Sequence, residues 1–159
     1  MAVAMKFLHL LSIVIWVGSV IFFSLIAAPA IFRAVDRRTA GDVVALIFPQ
    51  YYLLGYVCAA VSILTLAWLA SRAGWGFHAR AGLAALMVMA ALTVVSGVYV
   101  APKVNKVKYD MRAETDPAKL EAMRAAFGKW HGVSMALNAG VLLTGLALVY
   151  FAARYTQET

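Results

Sequence analysis

The sequence predicts an all-α integral membrane protein, a four-helix bundle with short amphipathic interfacial helices in loops one and three. Three observations carry this. Of its 159 residues, 64% are hydrophobic and 13% charged, whereas soluble domains run at about 45–50% apolar and about 25% charged. Stretches 7–32, 51–71, 81–102 and 130–153 contain no Asp, Glu, Lys or Arg, and a spanning helix needs roughly 20 apolar residues. Their apolarity is continuous rather than alternating, which selects helices over barrel strands, the two forms that satisfy a backbone in lipid. Residues 1–159 then make a single transmembrane domain with no room for a separate soluble core.

Span one, 7–32, holds a small-residue run at Ala28-Pro29-Ala30 that resembles a signal cleavage site. Its apolar stretch far exceeds the roughly 7–15 residues of a signal core, so it is read as a retained span. His9, Ser12, Trp16, Ser19 and Phe23 follow at three- and four-residue steps along one helical face, with Gly18 beside them as a point of close helix approach. In loop one, Thr39 and Asp42 resemble a capping pair, and Val43, Val44, Ile47 and Phe48 form an apolar stripe ending at Pro49. These predict an amphipathic helix over 40–48.

Span two, 51–71, contains the lone cysteine, Cys58, which rules out an internal disulfide and a Cys-x-x-Cys motif. Tyr51, Tyr52, Trp68, Trp75 and Trp130 sit where interfacial aromatics anchor helices, and His78 falls in a short loop beside Phe77. In span three, 81–102, Met87 and Met89 are two residues apart and so point in different directions, as core fillers rather than a Cu(I) pair. Ser96-Gly97 suits tight packing or a hydroxyl offered to a pocket. Asp116-Pro117 reads as an N-cap followed by proline at the first helical position. Leu120, Met123, Phe127, Trp130 and Ser134 then predict an amphipathic helix over 117–129 running into span four, 130–153. On that span His131, Ser134, Asn138 and Gly145 share a face. The halves also echo each other: Ala28-Pro29 and Ala101-Pro102 close spans one and three, as duplication of a helix hairpin would produce.

The formal charge is +7, from 14 Lys and Arg against 7 Asp and Glu. In this setting the excess points to the lipid bilayer and its anionic headgroups rather than to nucleic acid. Loops one and three carry ten basic residues, and the opposite side four, Lys6, Arg72, Arg80 and Arg154. The positive-inside bias places loops one and three in the cytoplasm and both termini outside, in what reads as a bacterial inner membrane.

No span holds a carboxylate, Lys or Arg, which removes the usual equipment of proton-coupled transport and voltage sensing. No hydrolase, zinc-protease or nucleotide-binding motif occurs, so no catalytic residue is assigned and the chain reads as a non-enzyme. The candidates are the two histidine seams. On one reading His9 and His131 are metal ligands for haem b or copper, with Ser12, Trp16, Ser134 and Asn138 shaping the sites. On the other, the seams are interhelical hydrogen bonds in a non-catalytic scaffold or assembly subunit, with a membrane-protein partner or a second copy as its associate. A small transporter of hydrophobic cations is a third reading, opposed by the lack of a buried counter-charge. Because span one starts outside and span four in the cytoplasm, the two imidazoles are expected roughly 20 Å or more apart in depth, too far to share one centre.

Leu8-His9-Leu10, Trp16-Val17-Gly18, Ala28-Pro29, Phe32, Ala40-Gly41 and Phe48-Pro49-Gln50-Tyr51-Tyr52, with Pro102, Phe127, His131-Gly132-x-Ser134 and Asn138, together resemble a family of small four-span membrane proteins. It is the uncharacterised-domain family that includes the eukaryotic protein associated with platinum-drug resistance. The chain is also similar, more distantly, to copper-resistance-D-like membrane proteins. The resemblance implies haem- or copper-associated roles for His9 and His131, and it implies no defined activity.

Overall fold

The computed structural model describes the backbone of residues 1–158 and the side chains of residues 1–155. Four helices account for nearly all of it: α1 (Ala2–Ala34), α2 (Arg37–Ala73), α3 (Phe77–Ala113) and α4 (Pro117–Glu158). All four are long and apolar enough to cross a membrane. Each packs against its neighbours in chain order, and α4 closes back against α1. Large apolar side chains such as Phe7, Val14, Leu25, Leu53, Leu64 and Leu143 lie exposed on the outside, as lipid-facing positions must.

The helices outrun the bilayer. At 37 residues, α2 and α3 are each about 55 Å long, against a hydrocarbon core of about 30 Å. The surplus gathers at the end that holds loops one and three, hereafter the basic end. There the expected separate helix over 40–48 is instead the first part of α2, which continues through Pro49. A proline inside a helix costs a hydrogen bond, yet neighbouring helices commonly accommodate it in membranes. Likewise α3 runs past Pro102 to Ala113, and residues 117–129 begin α4 without a break. The stripe of Leu120, Met123 and Phe127 is half-buried where α4 packs against the last part of α3.

The caps follow the chemistry of short polar side chains. Asp116 Oδ1 accepts from Ala118 N at 2.9 Å, as Asp116-Pro117 predicts. In loop one the cap is Asp36, not Thr39 with Asp42. Asp36 Oδ1 accepts from Arg38 N and Thr39 N, and the Thr39 hydroxyl donates to Oδ2 at 2.6 Å. Asp42 is drawn away by two cations of α3.

Burial is unequal along the bundle. The core is built from Ile13, Trp16, Val17 and Val20 of α1, Leu66, Leu69 and Ala70 of α2, Leu86 and Met89 of α3, and Val141 and Leu148 of α4. Among the described residues, α1 has no buried residue after Val20, and α4 none before Val141. The helices are therefore tightly packed away from the basic end and leave space toward it.

Two π-helical turns, Phe23–Ala27 and Val95–Val100, stand where that space begins. Ala28 N bonds to Phe23 O, and Ala101 N to Ser96 O, both five residues back. Each turn leads into an Ala-Pro pair, whose proline lacks the N–H that would continue the regular ladder. The Ala-Pro echo of the sequence thus has a backbone counterpart.

Close approach falls at Gly97, as the sequence suggests, and at Gly145, but not at Gly18. A methyl on Gly18 would meet nothing, whereas one on Gly145 would meet Val17 at 3.0 Å. One on Gly97 would collide with the Tyr56 hydroxyl and lie 2.8 Å from Tyr52 Cγ. Gly97→Ala is expected to destabilise the bundle by about 1–3 kcal/mol through overpacking, measured as a lowered midpoint in mixed-detergent unfolding. A second expectation concerns acid. Hydrogen bonds from the Thr39 hydroxyl, then from the first amides of α2, hold the Asp36 carboxyl below the usual carboxylate range. A depressed folded value stabilises the protein above the unfolded pKa, about 3.9, and that contribution is lost as pH falls through the folded value. Thermal stability should therefore fall on acidification below about pH 4, and Asp36→Ala should flatten that part of the profile.

Candidate functional site

A cavity of about 550 Å³ occupies the loosely packed half of the bundle, with walls from all four helices. Its lining runs from Thr93 to Lys108 on α3 and from Phe127 to Leu142 on α4, which by helix rise is about 22 Å of height. The cavity thus extends from the interior to the basic end. Pro29 and Ala101, beside the two π turns, both line it.

One wall is aromatic. Phe23 of α1 meets Phe48 and Tyr51 of α2 at ring-centroid distances of 5.5 and 5.3 Å, and Phe48 meets Tyr52 at 5.5 Å. Such tilted pairs fix ring positions beyond what area burial alone does. Trp16 lies deeper and is 2% exposed. It packs on Gly55, where a side chain would come within 3.1 Å of the indole Nε1.

Polar groups enter at three levels. At the inner one, Tyr51 Oη donates to Asn138 Oδ1 at 3.1 Å, and Asn138 Nδ2 donates to Ser24 Oγ at 2.8 Å. This chain joins α2, α4 and α1. About one and two turns nearer the basic end, Ser134 and His131 of α4 line the cavity. His131 is exposed, and its imidazole stacks on Phe127, with the rings 5° from parallel and centroids 5.7 Å apart. At the outermost level Lys108 Nζ donates to Gly41 O at 3.1 Å and pairs with Asp42 Oδ1 at 3.2 Å, while Arg112 Nη2 pairs with the same oxygen at 2.7 Å.

Of the six residues singled out from sequence, Trp16, His131, Ser134 and Asn138 line this cavity; His9 and Ser12 do not. His9 is 1% exposed and is clamped between α1 and α2. Its Nδ1 lies 3.1 Å from both Ser62 O and Thr65 Oγ1. A carbonyl oxygen only accepts, so Nδ1 carries the proton. The Ser12 hydroxyl donates to His9 O, and Ser12 Oγ and Ser62 Oγ are 2.7 Å apart. Counted from the Asn138–Ser24 hydrogen bond, His131 lies seven residues toward one end and His9 fifteen toward the other, a separation of roughly 30 Å. The two histidines belong to different places. Among the described residues, no three His, Cys, Asp or Glu side chains come together as a metal-binding group.

The histidine seam omitted Ser24 because Ser24 lies on the adjacent stripe of α1, four residues after Val20 and in line with Ile13 and Val17. Tyr51 and Tyr52 were expected as interfacial anchors, yet Tyr51 bonds inward and Tyr52 is buried. Lys108 and Asp42 are 66 positions apart, and no local pattern announces their pairing. Met89 is fully buried and Met87 exposed, which matches their expected divergence.

Residues 11–113 match the family described as "Domain of unknown function (DUF4149)". The chain is 31% identical over 145 residues to a protein of Aquifex aeolicus (strain VF5) named only "Uncharacterized protein"; the match covers 89% of this chain and 90% of that one. No solved structure matches it.

The clamp around His9 gives a test of its structural part. His9→Ala removes a partner from Thr65 and from the Ser62 carbonyl within lipid. It should lower stability by about 2 kcal/mol, read from mixed-detergent unfolding.

Proposed function

The chain belongs to the DUF4149 family, and we propose that it is an integral membrane protein that holds a haem-class cofactor in the cavity at its basic end. His131 would be the axial ligand. Ser134, Asn138 and Trp16 would shape the site, and His9 with Ser12 would hold α1 to α2 rather than touch the cofactor. The carrying observation is that His131 lines a 550 Å³ cavity, within the range of cofactor sites. The largely apolar wall and its ring cluster suit a large flat molecule. The resemblance to the platinum-resistance family, and more distantly to copper-resistance-D-like proteins, points the same way.

Haem needs little from the protein. The macrocycle brings its own four nitrogen donors, so one imidazole suffices as a protein ligand. A bare copper ion would need several protein donors, and around His131 the described residues offer no such group. The haem assignment is therefore favoured over copper. A transporter of hydrophobic cations fares worse, because no described Asp or Glu lines the cavity and Lys108 stands at its outer end. The scaffold reading draws on a separate observation, the Tyr51–Asn138–Ser24 chain, whose hydrogen bonds already tie three helices together without any ligand. Ten basic residues flank the basic end, which supports placing loops one and three in the cytoplasm of a bacterial inner membrane.

Protein purified in mild detergent after expression with a haem supply should show a Soret band. His131→Ala should abolish that band, while His9→Ala should retain it per folded molecule and lose stability instead. Protein that stays colourless under these conditions, or a band indifferent to His131, overturns the assignment and leaves the scaffold reading.

A further inference from the structure

Among the described residues lining the cavity, Lys108 is the only Lys or Arg, and there is no acidic residue. Its side chain is 14% exposed. Asp42 Oδ1 serves two cations at once, and the shorter bond, 2.7 Å against 3.2 Å, goes to Arg112. The cluster therefore holds one positive charge more than negative, and the less tightly held cation is the one facing the cavity. Neutral partners complete its surroundings: the Gly41 carbonyl at 3.1 Å and the Tyr109 ring, 4.6 Å from Nζ to its centroid. A partly desolvated cation without a full counter-charge is costly, and an incoming anion relieves that cost.

Shape adds a second argument. The cavity extends inward from Lys108 for about 22 Å by helix rise, past the ring cluster and the Tyr51–Asn138–Ser24 chain to Trp16 and Leu142. A molecule filling it would lie along the membrane normal, with its apolar body inward and one end at the ammonium.

We propose that the cavity selects an amphipathic molecule ending in a carboxylate, which Lys108 receives by exchanging its share of Asp42 for the ligand's oxygen atoms. This deepens the cavity reading above and concerns the ligand's end group rather than its iron. Two sources supply this chemistry: the propionates of haem and the carboxylate of a single-chain lipid acid. In either case Arg112 keeps Asp42 neutralised when Lys108 turns to the ligand.

The test uses the full chain in nanodiscs of neutral phosphatidylcholine. Two probe pairs are titrated: a conjugated-polyene fatty acid and its methyl ester, and haemin and its dimethyl ester. The wild type should prefer at least one acid over its ester by about tenfold, the scale of one charge-assisted hydrogen bond. Lys108→Gln should abolish that preference by weakening the acid alone, and Lys108→Arg should restore much of it. Asp42→Asn should leave acid binding undiminished or tighter, since it frees Lys108. A merely structural cluster would instead lose binding in both Lys108→Gln and Asp42→Asn, for acid and ester alike. Equal affinity for acid and ester in both pairs, or that joint loss, overturns the proposal. The pairs also separate it from the haem assignment. Acid preference for the fatty acid with no His131-dependent Soret band removes the haem alone. A His131-dependent band with equal affinities throughout removes the role of Lys108 alone.

Discussion

Inside a bilayer a hydrogen-bonding group has no water to turn to, so every polar side chain on these helices must be answered by another part of the protein. That requirement organises the interior more strictly than apolar packing, because lipid tails are as apolar as the side chains they would replace. His9 is answered by the Ser62 carbonyl and Thr65, and Ser12 by Ser62. Tyr51, Asn138 and Ser24 answer one another. The first set locks α1 to α2 where the bundle is dense. The second ties α1, α2 and α4 together where it is not.

The density difference between the two ends arises from the residues placed there. Away from the basic end, small residues allow close approach: Gly145 lies against Val17 and Met89, and Gly55 under Trp16. Toward the basic end, proline interrupts α1 and α3 at equivalent points, and each interruption carries a π turn. A π turn turns the face of a helix without ending it, so both helices change the surface they present midway through the membrane. The result is a bundle that is solid over one half and hollow over the other. Because the helices also extend beyond the bilayer at the hollow end, the cavity joins an apolar interior to a charged rim.

The fold was largely legible because lipid imposes a rule that composition obeys directly. Uncharged stretches of spanning length located all four helices, and three–four spacing placed His9, Ser12 and Trp16 on the inward face. Helix ends were less legible. Pro49 and Pro102 read as stops, but in α2 and α3 neighbouring helices sustain the chain through them. The site was legible in part. Five of its lining residues, Trp16, Phe23, His131, Ser134 and Asn138, lay on the histidine seams, while Ser24 lay on the neighbouring stripe of the same helix. Lys108 and Asp42 were hidden by distance along the chain, since pairing across 66 positions leaves no periodic trace.

The contrast between the two histidines decides what kind of site this protein can offer. Both sit on polar seams, both lie on spanning helices, and by sequence they carry the same claim. Burial and neighbours separate them. His9 is sealed off and has its ring orientation set by a backbone carbonyl, so moving it would cost the α1–α2 interface a partner. His131 stacks against Phe127 at the cavity wall, open enough for a ligand to reach without unpacking the core. A binding site needs a donor that is positioned yet accessible, and a scaffold needs one that is positioned and enclosed. One histidine here is positioned and accessible and the other positioned and enclosed, at opposite ends of a bundle whose solid half gives the hollow half its shape.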